Sequence, residues 1–251
     1  MIILENISKT FNRGEANEVT ALKNVNLKIN DGEFVVIIGA NGSGKTTLLN
    51  ILSGSEKVSS GKVFIDDEDV SRVAEYKRSK WIARVFQNPF NGTASGLSIL
   101  DNFRLAALRT RHKNLTIGIN AAFKKRVQEM IARLDMGLEN KINLMMGSLS
   151  GGQRQALTLL MSVMDEAKIL LLDEPTAALD PKSASMVLSL ADKLIKEYHL
   201  TALFITHNLK DAQLMGTRLI QFQQGEIVRH LSTEEKSKIK LENMAGWFGT
   251  V

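Results

Sequence analysis

Cysteine is absent from the 251 residues, which excludes disulfides and thiolate metal sites. Long apolar runs are missing too. The two longest, Phe34–Ile38 and residues 169–172, fall far short of the roughly 20 residues that a membrane-spanning helix needs. Met1-Ile2-Ile3-Leu4 runs straight into Glu5, so no signal peptide is expected. There is no internal repeat and no low-complexity linker. Together these absences predict residence in the cytosol. What is present is ordinary for a globular chain: 44% hydrophobic and 24% charged residues, enough for a sizeable core. The length suits one large domain, or a domain with a lobe inserted. The net charge of +5 would suit nucleic acid or an anionic membrane surface. A normal basic protein carries as much. The charge is uneven, however: Arg104, Arg109, Arg111, Lys113, Lys124, Lys125 and Arg126 follow one another with no acid between them.

Residues 2–7 and 22–29 alternate roughly between apolar and polar side chains, which predicts strands of an N-terminal antiparallel sheet. Phe34–Ile38 is a continuous apolar, β-branched run, the pattern of a strand buried on both faces. A glycine-rich segment follows at once. Residues 45–52 are helical in character and Gly54 is a helix stop. Residues 81–86 predict another core strand. From residue 88 to about 165 the pattern turns helical, with apolar spacings of three and four over 100–108, 121–134 and 152–164. The core resumes with a strand at 169–172, a helix at 181–198 and a strand at 202–206. Residues 219–222 and 226–228 suggest a hairpin through Gln224-Gly225. Strands alternating with helices predict an α/β fold with a mostly parallel sheet and helices on both faces. The expected division is one domain over 1–251. Its core is 1–87 with 165–231, a helical subdomain is inserted at 88–164, and 232–251 form a charged tail.

Three short motifs carry the chemistry. Gly39-Ala40-Asn41-Gly42-Ser43-Gly44-Lys45-Thr46 fits G-x-x-x-x-G-K-[ST], a loop that cradles phosphates, and it sits between a predicted strand and a predicted helix as that motif requires. Its glycines let backbone N–H groups approach phosphate oxygens, and the helix start adds positive potential. Lys45 is expected on the β- and γ-phosphates and the Thr46 hydroxyl on Mg²⁺, with Thr47 completing the nucleotide-binding set. Asp173 and Glu174 end the apolar run 169–172, where α/β folds bind ligands. Asp173 is a candidate Mg²⁺ holder through water, and Glu174 a candidate base for the water attacking the γ-phosphate. Between these motifs stands Leu149-Ser150-Gly151-Gly152-Gln153, in which Ser150 also reads as a helix N-cap.

The Leu-Ser-Gly-Gly-Gln segment narrows the nucleotide hydrolases to one superfamily. The chain resembles the ATP-binding subunit of an ATP-binding-cassette (ABC) transporter over nearly its whole length. The resemblance implies a P-loop NTPase core, RecA-like, with an antiparallel β-subdomain and an inserted helical one. It places the strand of Asp173 beside the P-loop strand. It makes Gln87 the Q-loop residue, touching Mg²⁺ or the attacking water, and His207 the switch histidine. It makes Phe11 the aromatic stacked on adenine, where tyrosine is common but any π-face serves. Ser150, Gly151, Gly152 and Gln153 would meet the γ-phosphate bound by a second subunit, so that two cassettes sandwich two ATP molecules head-to-tail. Asp180 would lie in the D-loop that links the two sites. ATP and Mg²⁺ are the implied ligands. The implied partners are an integral-membrane permease and a second, identical ATPase subunit, at the cytoplasmic face of the membrane.

Three roles stay open at this stage. The first is the energising subunit of an importer with a separate permease and an extracytoplasmic binding protein. The second is an ATPase of the lipoprotein-release or macrolide-efflux type, which pulls on a membrane partner; the extra residues 12–18 resemble an insertion there. The third is a non-transport ABC protein on DNA or ribosomes, whose usual coiled coils or paired cassettes do not fit this length, so nucleic acid is not an expected partner. Asn91-Gly92-Thr93-Ala94 after Val85-Phe86-Gln87-Asn88-Pro89 most resembles an importer subgroup paired with substrate-binding lipoproteins, some linked to aromatic amino acids.

Overall fold

The alternating N-terminal residues form a long antiparallel pair, and a computed structural model of the chain describes it together with the rest of residues 1–109 and 118–248. In chain order the elements begin with β1 (Ile2–Phe11), β2 (Val19–Ile29), β3 (Phe34–Ile38), α1 (Lys45–Ser53), β4 (Ser60–Ile65), β5 (Glu68–Asp69) and α2 (Glu75–Arg78). Then come β6 (Ile82–Val85), α3 (Ile99–Ala106), α4 (Ala121–Ala132), α5 (Gly151–Ser162), β7 (Ile169–Asp173) and α6 (Pro181–Glu197). The remainder is β8 (Thr201–Ile205), α7 (Leu209–Leu214), β9 (Arg218–Gln223), β10 (Glu226–Leu231), α8 (Thr233–Lys238) and α9 (Leu241–Ala245). Contacts divide the chain into two units. One holds Met1–Arg78, Leu171–Glu174 and His199–Val251, and the other holds Ser79–Leu170 and Pro175–Tyr198.

The first unit contains two sheets. A four-stranded sheet runs in the order β2-β1-β4-β5. The second half of this sheet was not visible in the sequence pattern. The turn between β4 and β5 is Asp66-Asp67, both with positive φ (50° and 65°). A two-residue hairpin needs that backbone, but glycine or asparagine usually announces it. The other sheet is mixed, and within this unit its order is β10-β9-β3-β8-β7. β3 runs parallel to both β8 and β9, with Val35 opposite Leu203 and Val36 opposite Leu219, so β8 separates it from β7 and the strand of Asp173 is not the direct neighbour of the P-loop strand that the resemblance implied; β9 and β10 form the expected antiparallel hairpin. Every residue of β3 and β8 is buried, which accounts for their unbroken apolar runs. Val35, Val36, Ile37 and Ile38 are 0% exposed. Truncating Ile37 or Ile38 to alanine would cost about 2–5 kcal/mol, part of it for the cavity left behind.

Arg78 closes the far end of α1. Its guanidinium is buried and donates to the carbonyls of Ile51 (2.6 Å), Leu52 (2.9 Å) and Val73 (2.9 Å). A cation at a helix C-terminus satisfies carbonyls that the helix leaves unpaired. Residues 232–248 of the charged tail fold too. α8 starts from a capping box at Ser232, and Lys236 is buried with its ammonium donating to the carbonyls of Gln213, Met215 and Gly216. Met244 of α9 is fully buried.

In the second unit β6 lies next to β7, and the carbonyl of Trp81 accepts from Lys168 N and Ile169 N at 2.9 Å each. The expected strand 81–86 is thus realised as β6. Helices α3, α4 and α5 occupy the chain between β6 and β7, matching the three helical stretches expected there. α3 begins from a capping box at Ser98, and α4 from Asn120, which accepts from Phe123 N. The α/β expectation, with an antiparallel β-sheet and a mixed sheet, holds. Among the described residues no helix is long and apolar enough to cross a membrane.

Candidate functional site

The loop after β3 is shaped by its glycines. A Cβ at Gly39 would stand 2.4 Å from the carbonyl oxygen of Phe222, so no other residue fits without moving backbone. Gly44, at φ 104°, is the N-cap of α1, and no side chain caps that helix. The first N–H groups of α1 are therefore presented by backbone alone, the geometry that suits an anion. Ser43 adds a buried hydroxyl with no hydrogen-bond partner among the described residues. Ala40, Asn41 and Gly42 are exposed, while Thr47 is half-buried at the start of α1. Lys45 lies across its own loop, with Nζ donating to the carbonyls of Gly39 (2.7 Å) and Ala40 (2.9 Å). Burial pulls the ammonium below the ordinary lysine range, and the Glu174 and Asp173 carboxylates offset part of that.

Three strand ends meet beside this loop. Thr206 N donates to Ile37 O at 3.2 Å and Glu174 N donates to Ile205 O at 3.1 Å, so the C-terminal ends of β3, β8 and β7 lie on one edge. The sheet order delivers four side chains there. Thr46 Oγ1 donates to Asp173 Oδ1 at 3.3 Å. His207 Nδ1 is 2.9 Å from Glu174 Oε2. The His207 side chain is 60% exposed and that of Glu174 only 14%, so the carboxylate is sheltered beneath an accessible ring. Glu174 holds φ at 44°, a left-handed backbone that costs a residue with a Cβ about 1–2 kcal/mol. An ionised carboxylate can only accept, and in that state of Glu174 the hydrogen of the pair sits on Nδ1 of His207.

Phe11 ends β1 in the same unit, opposite Val19. Its ring is partly exposed, and Lys9 Nζ stands 4.5 Å from the ring centroid while also ion-paired to Glu56 at 2.8 Å.

The remaining candidates belong to the second unit. Gln87 is exposed just after β6. Ser150 is the N-cap of α5 as expected, in a reciprocal capping box: its hydroxyl accepts from Gln153 N (3.3 Å), and its N–H donates to Gln153 Oε1 (3.1 Å). Gly151 is half-buried and Gly152 buried, and a Cβ on Gly152 would stand 2.6 Å from the Ser183 hydroxyl. Asp180 is the N-cap of α6 and accepts from Lys182 N (3.1 Å) and Ser183 N (3.0 Å). Hydrogen bonding from Ser183 holds its carboxyl below the usual range. Lys45, Thr46, Asp173, Glu174 and His207 are thus drawn together in one unit, and Ser150, Gly151, Gly152 and Gln153 are set at a helix start in the other.

Two residues that sequence reasoning passed over follow directly in α5. Arg154 and Gln155 are 0% and 1% exposed inside a helix whose other buried residues are mostly apolar. The Arg154 guanidinium donates to Met146 O (2.7 Å) and Ser95 Oγ (3.1 Å) and lies 4.0 Å from the Phe90 ring centroid. A polar pair at buried helix positions is the signal, but burial is not written in the pattern.

The basic stretch proves heterogeneous. Arg111 and Lys113 lie outside the described residues. Arg109 is turned inward, donating to Ser162 O at 3.2 Å, and burial lowers its guanidinium from the usual arginine range. Arg126 donates to Met164 O at 3.3 Å and Arg104 stacks 5.6 Å from the Phe123 ring centroid. Lys124 and Lys125 are exposed.

Comparison with known proteins agrees with this geometry. The profile of the ABC transporter family matches residues 22–177. A tyrosine transport ATP-binding protein of Clostridioides difficile is 40% identical over 97% of this chain and 97% of its own length. A macrolide export ATP-binding/permease protein of Campylobacter fetus is 37% identical over 95% of this chain, which spans only 36% of that protein. An ATP-binding cassette of Methanocaldococcus jannaschii, solved as a dimer in a post-hydrolysis state with ADP and phosphate, superposes with a TM-score of 0.80 at 32% identity. That alignment covers 93% of this chain and 99% of the cassette. The chain belongs to the ABC transporter family, as an ATP-binding P-loop ATPase that energises transport.

Proposed function

We propose that this ATPase energises an importer of a small solute, of amino-acid type, together with a membrane permease and an extracytoplasmic substrate-binding protein. The observation that carries this reading is the 40% identity to a tyrosine transport ATP-binding protein across nearly the full length of both chains. Its place would be the cytoplasmic face of the membrane, held by the permease. The division into core (1–87 and 165–231), helical subdomain (88–164) and tail (232–251) is kept as part of this reading.

The site residues take the following roles in it. Phe11 stacks on the adenine, and the loop from Gly39 to Thr47 wraps the phosphates, with the orphaned Ser43 hydroxyl and the uncapped N–H groups of α1 as donors. On binding, Lys45 trades its two loop carbonyls for phosphate oxygens. Thr46 and Asp173 supply a hydroxyl and a carboxylate, the hard oxygen donors that suit Mg²⁺. No group of three or more acidic, His or Cys side chains among the described residues could hold a metal, so phosphate oxygens and water would complete the shell, with Gln87 as a further ligand. The ion, when bound, supplies charge neutralisation at the β- and γ-phosphates. Glu174 accepts the proton of the attacking water. His207 orients that carboxylate and reaches the γ-phosphate. Ser150, Gly151, Gly152 and Gln153 contact the γ-phosphate of a second, identical subunit, and Asp180 links the two sites. Closure of the pair pulls on the permease.

A force-transmitting role of the macrolide-efflux kind is the second reading. It is supported by the match to a macrolide export protein and by the insertion at 12–18. That insertion forms a tight connection in which Glu15 N donates to Asn12 O (3.0 Å) and Gly14 N to Glu18 Oε2 (2.7 Å). Purification of the tagged chain from gently solubilised membranes of its host separates the two. Co-purification of a polytopic permease with a binding lipoprotein supports import. A subunit with few spans and a large extracytoplasmic domain supports force transmission, and recovery with ribosomes or DNA overturns both.

A further inference from the structure

Gln155 sits in the second turn of α5, 1% exposed, and makes two hydrogen bonds with one nitrogen. Its Nε2 donates to Phe86 O at 2.9 Å and to Pro175 O at 3.0 Å. Phe86 immediately precedes Gln87, and Pro175 immediately follows Glu174. A carboxamide nitrogen carries two hydrogens, so both are spent on these carbonyls. Buried carbonyls that lose a donor keep their full desolvation cost, so the arrangement resists being opened.

We infer that Gln155 is a positioning residue for the hydrolytic reaction. It ties the backbone before Gln87 to the backbone after Glu174, and so fixes where both side chains begin. The inference rests on the roles proposed above for Glu174 and Gln87. Two observations single out this residue among the buried polar ones. Arg154 bonds the backbone at Met146 and the side chain of Ser95, neither next to a candidate catalytic group. Glu174 has its own backbone in the strained left-handed region, a conformation kept only when the surroundings over-determine it. On one side Glu174 N is fixed by Ile205 O, and on the other the chain is fixed through Pro175 O by Gln155.

The test is Gln155→Leu, which keeps the volume and removes both donors, in the full-length chain. Steady-state ATPase activity and nucleotide binding would be measured beside the wild type and Glu174→Gln. The expected result is a fall in kcat of at least about ten-fold with KM for ATP changed less than about two-fold, the pattern of a lost transition-state interaction. Gln155→His keeps one ring N–H donor and should lie between the two. It also serves if the leucine variant does not fold. In single-turnover experiments, Gln155→Leu should cost less when added to Glu174→Gln than in the wild type, because part of its effect passes through that carboxylate. An unchanged kcat in either folded variant, while Glu174→Gln is inactive, overturns the positioning role. Near-wild-type turnover by Glu174→Gln would instead overturn the assignment of Glu174 itself.

Discussion

His207 Nδ1 stands 2.9 Å from Glu174 Oε2, joining the residues that follow two different strands of one sheet. The ring is exposed and the carboxylate is sheltered, so the pair presents an oriented acceptor at the edge beside the phosphate loop. A general base needs such placement more than it needs a particular neighbour in sequence.

Replacing that acceptor gives the first prediction. Glu174→Gln keeps the shape and the contact with His207 but cannot take a proton. It should bind ATP, accumulate as a dimer in light scattering, and lose about 10²–10⁴-fold in kcat for phosphate release. Near-wild-type turnover would remove Glu174 from the mechanism.

Lys45 is buried and its ammonium donates to two carbonyls of its own loop, which leaves it poised to exchange them for phosphate oxygens. Lys45→Ala should weaken nucleotide binding by about 10–100-fold, the size expected for one lost charge-assisted bond. Calorimetric titration with a non-hydrolysable ATP analogue measures it.

Ser150→Arg removes an N-cap hydroxyl and places a bulky cation at the start of α5. The cap alone is worth about 0.5–2 kcal/mol, so a small drop in thermal stability is expected. The variant should still bind ATP as a monomer. Dimer formation with ATP in size-exclusion chromatography would contradict the sandwich arrangement.

Lys236 makes alkaline stability informative. Burial pulls its ammonium down to about 8 in the folded chain. An exposed lysine in the unfolded chain holds its proton to about 10.4. Between those values the unfolded state binds more protons, so this group makes the fold more stable as pH rises through that window. Below about 8 it is charged in both states and its contribution is flat. Urea midpoints measured from pH 7 to 10.5 should carry this upward component, and Lys236→Met should lose it while being less stable, since three carbonyls lose their donor. Identical pH profiles for the two proteins would show that Lys236 titrates normally.

Within the basic stretch, contact with permease loops or anionic headgroups would fall on Lys124 and Lys125, because Arg109 and Arg126 are engaged with backbone carbonyls. Lys124→Glu with Lys125→Glu should reduce recovery of the chain in the membrane fraction and leave basal ATPase activity in solution unaltered. Unchanged membrane association ends that idea.

The phosphate-loop pattern from Gly39 to Thr46 and the start of α5 at Ser150 were legible from the residues alone, because both are written in local backbone demands. Gly42 and Gly44 hold φ at 77° and 104°, where glycine is unstrained, and Ser150 caps within its own helix turn. The unbroken apolar runs of β3 and β7 were legible for the same reason, since a strand buried on both faces has no polar side to show. The pairing of His207 with Glu174 and of Thr46 with Asp173 comes from the fold: the partners are 33 and 127 residues apart and meet because strand order brings their ends to one edge. The double hydrogen bond of Gln155 and the burial of Lys236 in a tail that reads as charged were likewise invisible. A polar side chain in a helix looks the same in sequence whether it faces water or an unpaired carbonyl, and the fold alone supplies the carbonyl.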